Sequence, residues 1–305
     1  MKYATITVLR AQYPLTALCR ALEVSRCGYL QHMARQRRRQ ECPAESQRIS
    51  DEALLAHIRS IHAASRQCYG WPRIWAQLRA QGVRVGKERV RRLMQCHGIR
   101  GRARRRYKAT TDSRHGLPVA ANLLERQFNP ERPNQAWAGD ITYIATHEGW
   151  LYLAAVMELH SRRIIGWSMS ERMTRRLVMD AMEMATGQRR PDKDSGLIFH
   201  SDRGSQYCSG DFQELLQRHG ITSSMSRKGD CWDNACSETL FASLKKERLH
   251  GKHFATRRQA KDEVIDWLTW YNSQRLHSTL GYTSPMEYER RWMAAHEQAV
   301  MVYAD

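Results

Sequence analysis

The stretch "KGDCWDNACSETLFASLKKERL", residues 228–249, opens as a loop and continues as a helix. It carries Asp230 and Asp233 before the helix settles, Glu238 further in, two cysteines (Cys231 and Cys236) and a basic pair, Lys245 and Lys246. At helical spacing Asn234, Glu238, Ala242 and Lys245 share one side, with Phe241 and Leu244 beside them to anchor the helix. Glu238 therefore stands at the border of a packed face. Three readings compete: a metal site, a solvated amphipathic helix, or part of an active site whose other half lies elsewhere. Cys231 and Cys236 have no Cys or His pair at zinc spacing around them, which argues against zinc. Asp230 and Asp233 read as loop and helix-cap residues.

The other half of such a site has to come from the surrounding strands. "AWAGDITYIAT", "GWLYLAAVMELHS" and "RRIIGWSMS" are short runs rich in β-branched and aromatic residues, and they predict a three-stranded meander. A helix over about 174–188, a buried strand "GLIFHSD", a helix "SGDFQELLQRHG", a strand "ITSSMS" and a long helix "RRQAKDEVIDWLTWYNSQ" follow. This order predicts a mixed α/β sheet flanked by helices. Asp140 lies inside or at the opening of the first strand, and Asp202 at the end of the buried strand before a glycine turn. A lone strand-end aspartate is usually a turn or cap residue. Two in one sheet need partners, because an unpaired buried carboxylate costs several kcal/mol. Hard divalent cations supply such a partner, taking carboxylate, water and phosphate oxygens. Two ions about 3.5–4 Å apart activate a nucleophile and stabilise a leaving oxygen in phosphoryl transfer. That arrangement needs a third acid; Glu238, separated from Asp202 by 35 residues, is the candidate. Lys245, two turns on, would meet a phosphate of bound DNA.

Charge divides the chain. Of its net +18, residues 1–120 hold all: 25 Lys and Arg against 7 Asp and Glu, with 24 of each in residues 121–305. A basic module joined to a balanced one points to a polyanion, and nucleic acid is the expected partner. Residues 14–35 read as helix, tight turn, helix, with Ser25 capping a second helix that starts near Arg26. "RQRRR" (35–39) adds phosphate-binding capacity or is a solvated helix end. Residues 48–99 predict three further helices, and "RGRARRRYK" (100–108), with Arg102, Arg104, Arg105 and Arg106, is too basic for a core and reads as a linker that follows the DNA backbone. The expected division is 1–47 and 48–108 as helix-turn-helix-like units, 109–132 as linker, 133–290 as catalytic core and 291–305 as tail. No run approaches the roughly 18 apolar residues of a membrane span. Eight scattered cysteines make a poor disulfide framework, so a reducing, cytoplasmic setting is expected.

Asp140, Asp202 and Glu238 resemble the DDE triad of RNase H-like transposases and retroviral integrases. "PNQAWAGDITYI", "EGWLYLAAVMELHSRRIIGWSMS", "FHSDRGSQY", "SRKGDCWDNACSETLFASLKKE" and "WYNSQRLHSTLGYTSPMEYE" resemble the second-frame transposase of the bacterial insertion-sequence-three family, as do "YPLTALCRALEVSRCGYL" and "YGWPRIWAQLRAQG". The resemblance implies an RNase H-like α/β core with a mixed five-stranded sheet, preceded by all-α helix-turn-helix-like units. It implies two Mg²⁺ ions, with Mn²⁺ able to substitute, held by Asp140 and Asp202 and by Asp140 and Glu238. It implies 3′-end cleavage and strand transfer at element terminal inverted repeats and target DNA, through a circular intermediate, by a homo-oligomer at the nucleoid. It also implies fusion to an upstream-frame protein by frameshifting. One departure is Glu158, where the family has Asp.

Two rival functions stay open at this stage: an RNase H-like nuclease without strand transfer, and a DNA-binding regulator with a dead core. His200 either assists metal or phosphate or packs in the sheet. His57, His62, Cys68 and Cys96 loosely resemble the zinc-binding N-domain of integrases, but their spacing is poor and ordinary helical core explains them better; Trp71, Trp75 and Trp137 also read as core. Tyr271, Arg275 and His277 read as packing and loop residues, with a basic pair near DNA as the other reading.

Overall fold

The computed structural model describes residues 2–41, 49–102, 116–227 and 231–302. Helices α1 (Lys2–Leu9), α2 (Leu15–Ala21) and α3 (Arg26–Glu41) form the first unit. The Ser25 hydroxyl accepts from the Gly28 amide at 3.0 Å, capping α3 at its expected start. "RQRRR" is part of α3, which runs through it to Glu41. Ile6, Leu18, Cys19 and Tyr29 form a small separate core.

The second unit has α4 (Asp51–Ala64), α5 (Trp71–Ala80) and α6 (Lys87–Cys96). Ser50 caps α4 by accepting from the Ala53 amide at 3.1 Å, and Pro72 sits in the first turn of α5, where its missing N–H costs nothing. Leu54, Ile58, Ile74, Leu78 and Val90 are fully buried. Two expectations for this unit are corrected. Of His57, His62, Cys68 and Cys96, Cys68 is in the core, while His57 and Cys96 are exposed. Trp71 is 36% exposed; Trp75 is half-buried with its indole N–H on the Val85 carbonyl at 2.9 Å, and Trp137 is the fully buried one of the three.

Five strands, β1 (Ala136–Thr146), β2 (Gly149–Glu158), β3 (Ile164–Ser170), β4 (Ile198–Ser201) and β5 (Thr222–Met225), form one sheet in the order β3-β2-β1-β4-β5. The meander β1–β3 is antiparallel, whereas β4 and β5 add in parallel. Helices α7 (Arg175–Arg189) and α8 (Gly210–Arg218) cover one face, packing on Trp137, Val156, Ile165 and Phe199. Gly166 permits this: a Cβ there would run into the Ala181 carbonyl of α7. The other face takes α9 (Ala235–Leu244) and α10 (Arg257–Ser273), and its core is continuous with that of α4–α6. The second helical unit is thus packed onto the sheet-bearing half.

Residues 116–135 hold no helix or strand, but they are stitched down. Leu123 and Leu124 amides donate to the Ser224 hydroxyl at 2.9 and 3.2 Å, and the Leu124 side chain is buried. The expected tail from 291 is also corrected. Helix α11 runs unbroken from Pro285 to Val302, and Trp292 packs edge-on against His160 at 5.6 Å. Among the described residues, no helix is long and apolar enough to cross a membrane.

Candidate active site

Asp140 is the fifth residue of β1. Alternation places it on the face of Ala136, Ala138 and Ile144, which pack in the α9/α10 core, and opposite to Trp137. Ala138 pairs with His200 across the parallel β1–β4 ladder. Asp140 and Asp202 each lie two residues further on, so they leave the ladder side by side.

The electrostatics reflect that proximity. Burial pushes the Asp140 carboxyl well above the usual carboxylate range; the Asp202 charge adds to this and Glu238 contributes less, while the Ile141 amide and Lys245 oppose it. The Ile141 amide donates to Asp140 Oδ1 at 2.7 Å. Asp202 Oδ1 accepts from the Gly204 amide at 3.0 Å in the turn after β4. Beneath the pair lies Tyr207, 2% exposed, whose hydroxyl is driven well above its ordinary range by burial and then by Asp140 and Asp202.

Glu238 enters from α9, which Leu240, Phe241 and Leu244 anchor to the sheet. Its side chain is on the solvent side, and partial burial raises its carboxyl. Among the described residues, no three His, Cys, Asp or Glu side chains stand close enough to hold a metal ion together. Asp140 and Asp202 are neighbours; Glu238 is within electrostatic reach of Asp140.

Lys245 follows α9 directly, opening a wide π turn over Lys245–Leu249. Such turns recur at functional sites. Its ammonium lies 5.0 Å from the centre of the Tyr143 ring. Burial lowers its pKa, with Tyr143 and Asp140 acting in the opposite sense.

Other expected residues fall elsewhere. Arg26 is exposed at the start of α3, on the separate first unit. Arg102 is exposed too, but its guanidinium donates to the Glu247 carbonyl at 2.8 Å and so ties the helical unit to the π turn. Arg104, Arg105, Arg106 and Asp230 lie outside the described residues. His200 is 1% exposed, with Nδ1 2.9 Å from the Ser224 hydroxyl and Nε2 3.3 Å from that of Ser226. Burial depresses it to about 4, so it packs as a neutral ring.

Asp233 departs from its expected capping role. The residue preceding α9 is Asn234, and no side chain caps the helix there. Asp233 instead is 1% exposed and accepts from the Arg227 amide and guanidinium, Arg126 and Asn122, each at 2.9 Å. The Arg227 hydrogen bond holds its carboxyl far below the usual range despite burial. The latch joins the connector, the end of β5 and the start of α9. Cys236 is half-buried, with Sγ 3.1 Å from Arg162 Nη1. Glu158 is fully buried and structural, accepting from the Asn134 amide (2.8 Å), the Trp137 indole (3.0 Å) and the His160 amide (3.0 Å).

Sequence reading missed the group that fixes the π turn. Glu247 is 5% exposed and accepts from Arg275 Nε at 2.8 Å and Nη2 at 2.7 Å, and from the Trp267 indole at 3.2 Å. Tyr69 and Arg73 of the helical unit bind the Leu276 amide at 2.8 Å and its carbonyl at 2.9 Å. An acid just past an amphipathic helix and an arginine in a loop carry no spacing signal, so only their burial together reveals them.

An antiparallel meander extended by two parallel strands, with helices on both faces, is the RNase H-like architecture of integrase cores. The integrase core domain family matches residues 130–231, a second integrase core domain family matches 219–285, and an HTH-like domain matches 50–107. The chain is 43% identical to the Escherichia coli (strain K12) "Transposase InsF for insertion sequence IS3A", over 96% of this chain and 100% of the relative. It is 40% identical to the Shigella sonnei "Insertion element IS600 uncharacterized 31 kDa protein", over 90% of this chain and 98% of that one. The chain belongs to the IS3 family of transposases. Among solved structures, the HTLV-2 integrase catalytic core domain in complex with magnesium is 15% identical, covering 52% of this chain and 98% of its own, with a TM-score of 0.39. As a transposase with an HTH-like domain, the protein binds DNA.

Proposed function

We propose that Asp140, Asp202 and Glu238 are the catalytic carboxylates, and that this transposase frees a 3′-OH at each element end and joins it to another strand. The observation that carries the reading is the side-by-side exit of Asp140 and Asp202 from the β1–β4 ladder, with the Asp140 carboxyl destabilised as an anion by burial and by its acidic neighbours. Two neighbouring carboxylates, one of them lifted by burial and by its acidic neighbours, fit a hard divalent cation. Asp140 and Asp202 would hold one Mg²⁺, and Asp140 and Glu238 a second, with Mn²⁺ able to substitute. When bound, such ions neutralise charge on the phosphodiester and activate the attacking oxygen.

The chain's own groups do the rest. The Gly204 amide orients Asp202, the Ile141 amide orients Asp140, and Lys245 faces the phosphate of the bound strand. Glu238, on the solvent side of α9, completes the site when it turns inward toward Asp140. Arg26 and the basic run Arg102, Arg104, Arg105 and Arg106 supply DNA-backbone contacts, Arg102 from its place at the π turn. Each contact raises affinity without sequence preference. Joining two ends through a circular intermediate requires a homo-oligomer at the nucleoid, and fusion to an upstream-frame protein contributes to recognition of the terminal inverted repeats.

The test is strand transfer by the purified protein with Mg²⁺ on duplexes taken from the ends of its own element. Asp202→Asn and Glu238→Gln are expected to abolish both cleavage and joining while leaving DNA binding intact. Joining that survives either substitution would overturn the site, and hydrolysis with no joining, in the fused product as well, would make the protein a nuclease.

A further inference from the structure

We propose that Tyr143 and Trp150 form a stacking ledge that receives unpaired nucleobases of the DNA end beside the scissile phosphodiester. The inference rests on the catalytic reading above and extends it to a binding subsite.

The two rings sit on the β1–β2 hairpin, where Tyr143 pairs with Tyr152 and Ala145 with Trp150. Their centroids are 5.0 Å apart at 82°, an edge-to-face pair. Tyr143 is 40% and Trp150 50% exposed, whereas Trp137, Phe199 and Tyr207 of the same sheet region are 0–2% exposed. A cross-strand aromatic pair contributes only roughly 0.2–1 kcal/mol to a hairpin. That gives little reason to hold two large rings in water.

Their position supplies one. Tyr143 is three residues along β1 from Asp140, about 10 Å at strand rise, and alternation turns its ring to the other face of the strand, across the edge of β1 that its pairing with β4 leaves open beyond Ala138. Lys245 spans the gap: its ammonium is 5.0 Å from the Tyr143 ring centre, and its charge acts on Asp140. A strand that crosses this open edge with its phosphate against Lys245 brings its next base to the rings. The cation favours a phosphate-bearing occupant over an apolar protein partner. Base–aromatic stacking is sequence-tolerant and is worth about 1–3 kcal/mol per base.

The ledge is also pre-set. Arg257 donates to the Trp150 carbonyl at 3.2 Å and to the Glu148 carbonyl at 2.5 Å. Its own amide donates to Glu148 Oε2 at 2.8 Å. The turn closes through the Thr146 hydroxyl on the Gly149 carbonyl at 2.6 Å, with Gly149 at φ +104°.

The experiment uses the full chain without divalent metal and element-end duplexes, blunt or frayed, carrying 2-aminopurine at single positions next to the cleavage site. Wild-type protein is expected to quench the probe at one or two adjacent positions and to prefer the frayed duplex. Trp150→Ala should lose the quenching and weaken frayed-end binding about 10-fold, leaving blunt-duplex affinity unchanged, and Trp150→Phe should restore most of both. Thermal melting separates a folding defect from a lost ledge, and Trp150→Phe keeps the question answerable if the alanine variant unfolds. Unchanged quenching and unchanged frayed-end preference in Trp150→Ala would overturn the ledge, as would equal binding of frayed and blunt ends by wild type. Base capture without strand joining would instead count against the catalytic reading alone.

Discussion

Asp140 and Asp202 stand two residues beyond the paired positions Ala138 and His200 of adjacent parallel strands. Parallel pairing carries both side chains to the same face, and the sheet turns two residues that are 62 positions apart into one carboxylate pair. Burial, and then the charge of Asp202, lifts the Asp140 carboxyl.

Metal-free protein should therefore be strained at this pair. Asp140 has a folded-state pKa raised above its ordinary 3.8. The folded state then binds more protons than the unfolded one, and stability falls as pH rises from the ordinary value to the raised one. Asp140→Asn is expected to raise the melting temperature at neutral pH in EDTA, by roughly 2–4 °C per kcal/mol relieved. Added Mg²⁺ should narrow the difference. Calorimetry of both proteins with and without metal checks this; a lower melting point for the variant in EDTA would contradict it.

The same substitution should remove catalysis. On the proposed assignment Asp140 helps hold both ions, so its loss predicts a fall of about 10³-fold or more in strand transfer. Binding of the end duplex should stay within a few-fold, and gel-based joining and mobility-shift assays separate the two.

His200 predicts an acid limb of opposite sign. Its folded-state pKa of about 4 lies below the ordinary 6.5, with burial as the main cause. The unfolded state binds the extra proton between these values, so stability is lost as pH falls from 6.5 to 4. The contribution amounts to roughly 3 kcal/mol. His200→Gln should flatten the fall in denaturation free energy over that interval, whatever it does at pH 8.

Glu247 and Arg275 form a buried pair under the π turn, so removing one partner strands the other. Arg275→Leu is expected to cost about 3–5 kcal/mol, and Glu247→Leu on top of it much less than a second such loss. A double-mutant cycle by urea denaturation measures the coupling, and additive losses would rule the pair out as a unit.

Gly139 predicts a steric coupling to the site. A Cβ there would lie well inside contact with the Phe199 ring and 3.5 Å from the Tyr207 hydroxyl. Gly139→Ala should destabilise the fold by about 1–3 kcal/mol and reduce strand transfer, because the displaced rings lie beneath Asp140 and Asp202. Melting and joining assays on one preparation check both parts.

The amino-acid sequence by itself determined the alternation of strands and helices, the basic first third, and the three acids with their 35-residue gap. Periodicity and charge are local, so they survive without a structure. Ser25 as a cap and Phe241 and Leu244 as anchors follow from the same local rules. What only the tertiary structure decided depends on contacts between distant segments. Asp233 became a latch because Arg126 and Asn122, more than a hundred residues away, converge on it. Arg102 became a tie to the π turn, Trp71 stayed at the surface, and residues 116–135 were drawn onto β5. Glu247 and Arg275 gained meaning only when both lost water. Burial sets the cost of each of these charges, and burial is a property of the packed chain.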